Sequence, residues 1–548
     1  MKRIISTFSM LFAMASMSFA QAPVKDISGN LNGTHNWSAD TIYLLKGKVY
    51  VKAGGELNIA PGTVIKGDVS TPGSALIVTR GAQIFAIGTA TKPIVFTSSE
   101  TPGNRQMGDW GGLVIAGNAR INVPGGIGTF EGGNLANPDG TVADGQYGGL
   151  NDLDNSGELK YVRIEYAGFA YAPNNELNSL TMGGVGSGTK MSYIQCSHGL
   201  DDHFEWFGGS SDASHLVSFR CNDDDFDTDF GYSGRVQFGV ALRDTAVADP
   251  VSGSMAFESD NDGGGNNNTP KTRPVFSNMT IVGPKFTPTT TIDPNHRRGA
   301  HIRRHSQMSL FNSVIMGYPT GIKIDGDSCH QNADNGLLKI KNTTIAGCTN
   351  NLDSTVTNSA WPITSWFNTS GWDNNVLNAN TDVMLANPFD YNNPDFRPNA
   401  GSPLLNTANF ADPFVNTWFA STTFRGAFGS DNWMAGWTNF QPDTNSYLTG
   451  YVDAPNSVNT ISKETISLDV YPNPSSNNAS IRFNMNESAT LAFELVDISG
   501  KVVMTQSYNA TKGFNVIRFS TETIPSGLYI IKLNGDKYAT TEKLSVLH

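Results

Sequence analysis

Six residues near the middle of the chain alternate acid with non-acid: Asp225-Phe226-Asp227-Thr228-Asp229-Phe230. Side chains alternate between the faces of a strand. The spacing therefore predicts Asp225, Asp227 and Asp229 on one face, with Phe226, Thr228 and Phe230 turned inward. Upstream, Asp201-Asp202-His203-Phe204-Glu205-Trp206 alternates in the same way. An offset of 24 sets Asp201 beside Asp225, His203 beside Asp227 and Glu205 beside Asp229, on strands about 4.8 Å apart. Two like charges about 5 Å apart repel by roughly 0.8 kcal/mol even at the dielectric of water. Three things could relieve such a patch: solvent over an open acidic face, a hard cation such as Ca2+, or a shared proton available for acid–base chemistry. All three readings stay open. A Ca2+ site would use Asp201, Asp225, Asp227 and Asp229, and a catalytic site Asp202, Asp225 and Asp227.

The second charged cluster is basic: His296-Arg297-Arg298, then His301, Arg303, Arg304 and His305. Guanidinium forks suit carboxylates and sulfates. Arg297, Arg298, Arg303 and Arg304 are thus candidate ligands for an acidic glycan, with His203 and Glu205 beside them. Arg303 or Arg304 would stand near the substrate in an enzyme. The alternative is that the cluster stacks against the acidic coil and neutralises it. Glu258-Ser259-Asp260-Asn261-Asp262-Gly263 carries part of a calcium-loop pattern. It lacks the spaced ligands and closing Glu of an EF-hand and reads as a flexible loop. Four cysteines in an exported chain allow disulfides, and the candidate pairs are Cys196–Cys221 and Cys329–Cys348, against free buried thiols. No Cys-x-x-Cys occurs, so redox catalysis lacks support.

Short strands must position these groups. Asn278-Met279-Thr280-Ile281-Val282-Gly283, Asn312-Ser313-Val314-Ile315-Met316-Gly317 and Asn342-Thr343-Thr344-Ile345-Ala346-Gly347 share one pattern at spacings of 34 and 30. Shorter alternating runs begin at Tyr161, Met191 and Leu216. Parallel strands recurring every 20 to 30 residues without crossover helices fit a solenoid, in which stacked coils share a core no single coil could bury. Asn and Gly at the bends suit positive φ. The expected fold is all-β: a right-handed parallel β-helix over residues 21–405. A C-terminal cap follows at 406–450, in which Trp418, Trp433 and Trp437 close the open end, with sugar binding by these rings as the alternative. Residues 124–156 and 245–274, rich in Gly, Asn and Asp, are expected to project as loops.

Composition agrees. Charged residues are 16% and hydrophobic residues 39% of 548, too apolar and too weakly charged for disorder, and 57 Gly disfavour long helices. A net charge of −12 sets nucleic acid aside as a partner. Residues 1–20 have the basic start, apolar middle and small-residue end of a secretory signal peptide, with a cut before Gln21. No later segment reaches the apolar length of a membrane span. A polar linker is expected at 451–467, followed by a small Ig-like β-sandwich at 468–548.

That last segment resembles a known family. Leu468-Asp469-Val470-Tyr471-Pro472-Asn473-Pro474 looks like the opening of a type A C-terminal sorting domain of the type IX secretion system. Val496-Asp497-Ile498-Ser499-Gly500-Lys501-Val502, Gly513-Phe514-Asn515, Ser526-Gly527-Leu528-Tyr529 and Lys543-Leu544 follow in the family's order. The resemblance implies Bacteroidota-type export, with the secretion machinery as partner and later removal of the tail.

The body resembles a broad group of secreted bacterial β-helix proteins. The matching phrases are Leu159-Lys160-Tyr161-Val162-Arg163-Ile164-Glu165-Tyr166-Ala167-Gly168, Met182-Gly183-Gly184-Val185-Gly186-Ser187-Gly188-Thr189 and Gly231-Tyr232-Ser233-Gly234-Arg235-Val236-Gln237-Phe238-Gly239. It supplies no catalytic residues. Asp201-Asp202 is similar to the paired acids of polygalacturonases and Ser197-His198-Gly199 to their His element. The His element, however, precedes the acids, and Gly321-Ile322-Lys323-Ile324 lacks the family's Arg. The functional expectation is a secreted or cell-surface module that binds glycans or another surface, with Ca2+ as its possible ion. The alternative is a Ca2+-dependent polysaccharide lyase or glycoside hydrolase using the acidic patch.

Overall fold

The computed structural model describes residues 22–131, 143–172, 175–355, 360–448, 468–497, 501–535 and 538–548. The expected signal peptide and linker lie outside the described residues. The chain divides into two compact units at residue 455.

In the first unit, 26 strands form one continuous parallel pairing network. Three columns of pairing run along it. One stacks Glu158, Lys190 and Asp212. The second stacks Val162, Ile194, Leu216, Gly239 and Met279. The third stacks Leu180, Phe204, Phe226, Phe257, Ala300, Ile322 and Leu352. This is a parallel β-helix with three faces, and its inward residues form one core. Between the first two columns the chain turns on a single residue with φ near +50 to +63°: Tyr161, Tyr193, His215, Phe238, Asn278, Asn312 and Asn342. A left-handed residue costs roughly 1–2 kcal/mol unless it is Gly or Asn. The later coils use Asn. The earlier ones offset the cost by stacking, with ring centroids 4.5 Å apart for Tyr161–Tyr193 and 4.2 Å for Tyr193–His215.

Three expectations need correction. Residues 245–274 are not one projecting loop, because Ser254–Ser259 is a full strand of the third column. Phe230 does not face the main core. It has φ +48° and packs beside Phe207 in a satellite cluster, whereas Phe226 and Thr228 do point inward. Residues 406–448 do not cap the end. Trp361, Trp366 and Trp372 cover the last coils with the short helix Ile363–Phe367. The segment beyond runs back along the outside of the β-helix. Asn409 bonds Asn312, Ala420 bonds Gln237, Asn439 bonds Gln195, and Arg105 donates to the carbonyls of Pro442 and Asn445. Met434 and Trp437 lie in this strap and share one apolar cluster with the outer row of Phe219, Leu242, Val282 and Met316. The last coils have apolar faces on the outside as well as the inside, and burying both takes a strap rather than a lid.

In the second unit, strands Asp469–Tyr471, Asn478–Met485 and Gly513–Ser520 form one antiparallel sheet. Ala489–Asp497, Val502–Ala510, Gly527–Asn534 and Ala539–Val546 form another. Alternate residues such as Ile481, Phe483, Leu491, Phe493 and Ile531 build the core between them, as a small β-sandwich requires.

Candidate functional site

The third column carries the acidic segment, in a register that differs from the expected one. Glu205 pairs with Asp227 and Phe207 with Asp229, an offset of 22 rather than 24. The core explains this. At 22, Phe204 stacks on Phe226 at 5.5 Å and 11°, and Phe226 on Phe257 at 5.3 Å. At 24, Phe204 would face Thr228 and lose that stack. Because both offsets are even, outward residues stay outward, and the seam on the outer face reads Thr181, Glu205, Asp227, Glu258, His301, Lys323, Asp353.

Carboxylate oxygens gather along the upper half of this seam. Those of Asp202, Glu205 and Asp227 lie within 4.8 Å of one another, as do those of Asp201, Asp202 and Asp223, and those of Asp224, Asp227 and Glu258. Asp202 and Asp227 join the three groups into one run. The turn before each strand holds it in place: Asp202 accepts the amide of Asp224 at 2.8 Å, and Asp224 accepts the amide of Met255 at 2.5 Å. Asn178 donates to Glu205. Oδ1 of Asp227 and Oε1 of Glu258 are buried without a hydrogen-bond partner.

Burial pushes the carboxyls of Asp201, Asp202, Glu205, Asp224, Asp227 and Asp229 well above the usual range, and neighbouring acids push them further. Asp223 rises to about 7, through burial and then Asp249. Glu258 goes the other way: burial would raise it, but His301 and Arg303 hold it below its ordinary value.

Several expected site residues are elsewhere. Asp225 is fully buried and paired with the equally buried Arg243 at 2.8 Å, so it lies apart from the seam, in a separate buried group with His203 and Cys221. His203 is fully buried too. Its Nε2 accepts the amide of Gly199 at 3.0 Å and its Nδ1 lies 2.6 Å from Ser218 Oγ, which donates to Asp225. That network holds the turn and keeps His203 away from the seam and its groove. Arg303 bonds Glu258 and Asp260, and Arg304 bonds Asp260 at 2.7 Å. Both arginines therefore neutralise the lower seam. The loop at Asp262 is tied to Asn266 and Asn268 by hydrogen bonds. All four cysteines are free thiols. The 22-residue coil sets Cys196 beside Ser218, so Cys221 is three positions too far along, and its Sγ donates to the carbonyls of Asp201 and Asp224. Cys329 sits on the inserted helix Asp327–Asp334 and does not meet Cys348.

Asp201, Asp202, Glu205 and Asp227 do come together. Asp223, Asp224 and Asn178 join them and were not anticipated, although the unbroken run Asp223-Asp224-Asp225 was a signal that the turn itself is acidic. Beside them opens a groove of about 490 Å3. One wall is formed by Asp201, Asp202, Glu205 and Asp223, and apolar surface comes from Leu177, Leu200, Phe207, Pro250 and Val251. Ser252 ties the Val251 turn to Asp223 at 2.8 Å, and Val251 is 68% exposed. Two oxygens bound to one Ca2+ at about 2.4 Å can be at most about 4.8 Å apart, so the all-oxygen groups fit a hard cation.

No curated protein matches the chain. Among solved structures, the enzymatically active domain of tailspike protein 4 of bacteriophage CBA120 is similar at 11% identity and a TM-score of 0.19, over 95% of this chain and 63% of that one. Full-length tailspike protein 2 of Escherichia coli O157:H7 bacteriophage CAB120 follows at 10% identity and 0.17, over 92% and 64%. The chain thus spans less than two thirds of either tailspike, and at these scores neither says anything about its ligand. Residues 469–547 match the secretion system C-terminal sorting domain, the tail of type IX export, which directs the protein to the cell surface or beyond. No helix among the described residues is long and apolar enough to cross a membrane. Residues 29–438 match the pectate-lyase like beta helix domain, and the chain belongs to that family.

Proposed function

We propose that the exported β-helix is a non-catalytic glycan- or surface-binding module whose upper seam holds Ca2+. The observation that carries this reading is the run Asp201, Asp202, Glu205, Asp223, Asp224 and Asp227, which has no ion-pair partner among the described residues and whose members Asp201, Asp202, Glu205 and Asp223 line an open groove. Asp202, Glu205 and Asp227 would hold the ion, which would bring positive charge to a wall that otherwise repels anions. Sugar hydroxyls and carboxylates could complete its shell, while Leu200, Pro250 and Val251 offer apolar surface to ring C–H groups. Catalysis needs a base or acid poised at the substrate. His203 is locked inside, Asp225 is paired with Arg243, and Arg303 and Arg304 are engaged by Glu258 and Asp260.

A second reading, a hydrolase, draws on Asp223. A carboxyl at about 7 beside Asp201 and Asp202 has the make-up of a general acid next to ionisable partners. One experiment separates them. The purified protein is incubated with acidic and neutral polysaccharides, with Ca2+ or chelator, and both pelleted protein and new reducing or unsaturated ends are measured. Calcium-dependent co-sedimentation without product is the expected result. Calcium-dependent product that is abolished by Asp227→Ala in a still-folded protein would replace binding with catalysis. Neither signal would overturn both readings.

A further inference from the structure

Four arginines lie between residues 297 and 304, and the structure divides them. Arg303 and Arg304 are engaged by Glu258 and Asp260. Arg297 and Arg298 make no ion pair among the described residues. They line a separate groove of about 290 Å3 at the start of the strand His296–Ile302, together with Ile292, Pro294 and Thr320. Arg297 lies across Gly253, where a Cβ would come within 2.4 Å of its Nε. Any side chain at that position would displace the guanidinium.

His296 lines the same groove and is 2% exposed. Its Nε2 donates to the carbonyl of Asp244 at 2.8 Å, which leaves Nδ1 as a lone-pair acceptor, and that buried atom has no partner. Burial, with Arg243 nearby, lowers the imidazole to about 4, so the ring is neutral at ordinary pH and Nδ1 remains an acceptor. On the rim, the carboxylate of Asp293 accepts the backbone amide of Asn295 at 2.8 Å. The groove is therefore lined by two guanidinium forks without ion pairs and by a neutral imidazole, with room for about one sugar ring.

We propose that this groove is an anion subsite for a sugar, resting on the glycan-binding reading for its choice of a saccharide. Arg298 and Arg297 take a carboxylate or sulfate substituent in their forks, against the neutral ring of His296. Charge-assisted forked bonds of this kind are the strong ones, and Lys does not reproduce their geometry.

The test uses the full chain in excess chelator, so that no divalent ion contributes, and titrates it calorimetrically with trigalacturonate, with a sulfated galactose trisaccharide and with neutral cellotriose. At least one anionic probe should bind while cellotriose does not, and which one binds tells carboxylate from sulfate. Arg298→Gln should weaken that probe about tenfold or more, Arg297→Gln/Arg298→Gln should abolish binding, and Arg298→Lys should not restore it. Thermal melts of each variant confirm that the fold is kept. Equal binding of cellotriose, no anionic binding in chelator, or an affinity unchanged in the double variant would each overturn the proposal. Failure of calcium-dependent pelleting would count against the seam alone and leave this result standing.

Discussion

The backbone amide of Ala22 donates to the carbonyl of Leu448 at 2.9 Å, although 426 residues of chain separate them. The β-helix winds away from Ala22, and the strap brings the chain back to the first coil. Its anchors are side-chain amides that clasp the returning backbone at both polar groups. Gln195 donates to the carbonyl of Asn439 and accepts its amide, both at 2.8 Å, and Gln237 does the same with Ala420. Each clasp satisfies two strap groups, and those of Asn439 would otherwise be buried unpaired.

Gln195→Ala removes one clasp and leaves both backbone groups of Asn439 unmet in a buried site. An unsatisfied buried polar group costs about 1–3 kcal/mol, so the urea midpoint of the first unit should fall by a corresponding amount. If residues 406–448 merely covered the C-terminal end, a substitution at Gln195, many coils away, would leave the midpoint unchanged.

The parts of this fold that were legible in the sequence are those set by local chemistry. Asn278, Asn312 and Asn342 announce the left-handed bends because few other residues adopt them cheaply. Alternation around Asp227 announces an outward acidic row. The register was not legible, because charge spacing alone suits 22 and 24 equally, and the choice falls to the Phe204–Phe226–Phe257 stack. Asp225 misled for the same reason: its partner Arg243 lies on the following coil, outside any local pattern. The strap was hidden further still, since nothing near Gln195 points to Asn439.

The thiol assignment can be checked directly. Unfolded, unreduced protein treated with iodoacetamide should gain four adducts by mass spectrometry, at Cys196, Cys221, Cys329 and Cys348. In the folded protein Cys196, Cys221 and Cys329 should stay unmodified, since each is buried and burial raises its thiol above the ordinary value. Two adducts fewer in the unfolded sample would mean one disulfide.

The seam also sets a dependence on pH. Groups such as Asp223, raised in the folded state to about 7, bind protons there that the unfolded chain has already released. Their contribution is fully present below about pH 4 and is lost as pH rises toward 7, at up to about 1.4 kcal/mol per pH unit for each such proton. Glu258 and Asp325, which are lowered, work oppositely and matter only as pH falls through the acid range. In chelator the melting temperature should therefore decline between pH 5 and 7. Added Ca2+, competing with those protons, should raise it most at the higher pH. A melting temperature that climbs from pH 5 to 7 in chelator would mean that the acids are not proton-loaded.

Asp227→Asn distinguishes a cation site from an acidic surface. Asp227 sits between Glu205 and Glu258 on the seam and belongs to two of the three carboxylate groups. Its Oδ1 is buried without a donor. Replacing the carboxylate with an amide keeps the shape, removes one charge from a repelling run and places a donor beside Glu205 or Glu258. Without metal the variant should be more stable than the parent once pH is high enough to ionise the raised carboxyl of Asp227, by about 1 kcal/mol, the scale of one like-charge contact at a partly screened site. With Ca2+ the order should reverse, because the variant loses a ligand shared by two groups and most of the calcium-induced rise in melting temperature goes with it. Stabilisation in chelator without loss of the calcium response would place the ion away from Asp227. If the variant were less stable under both conditions, the carboxylate would be holding structure rather than an ion.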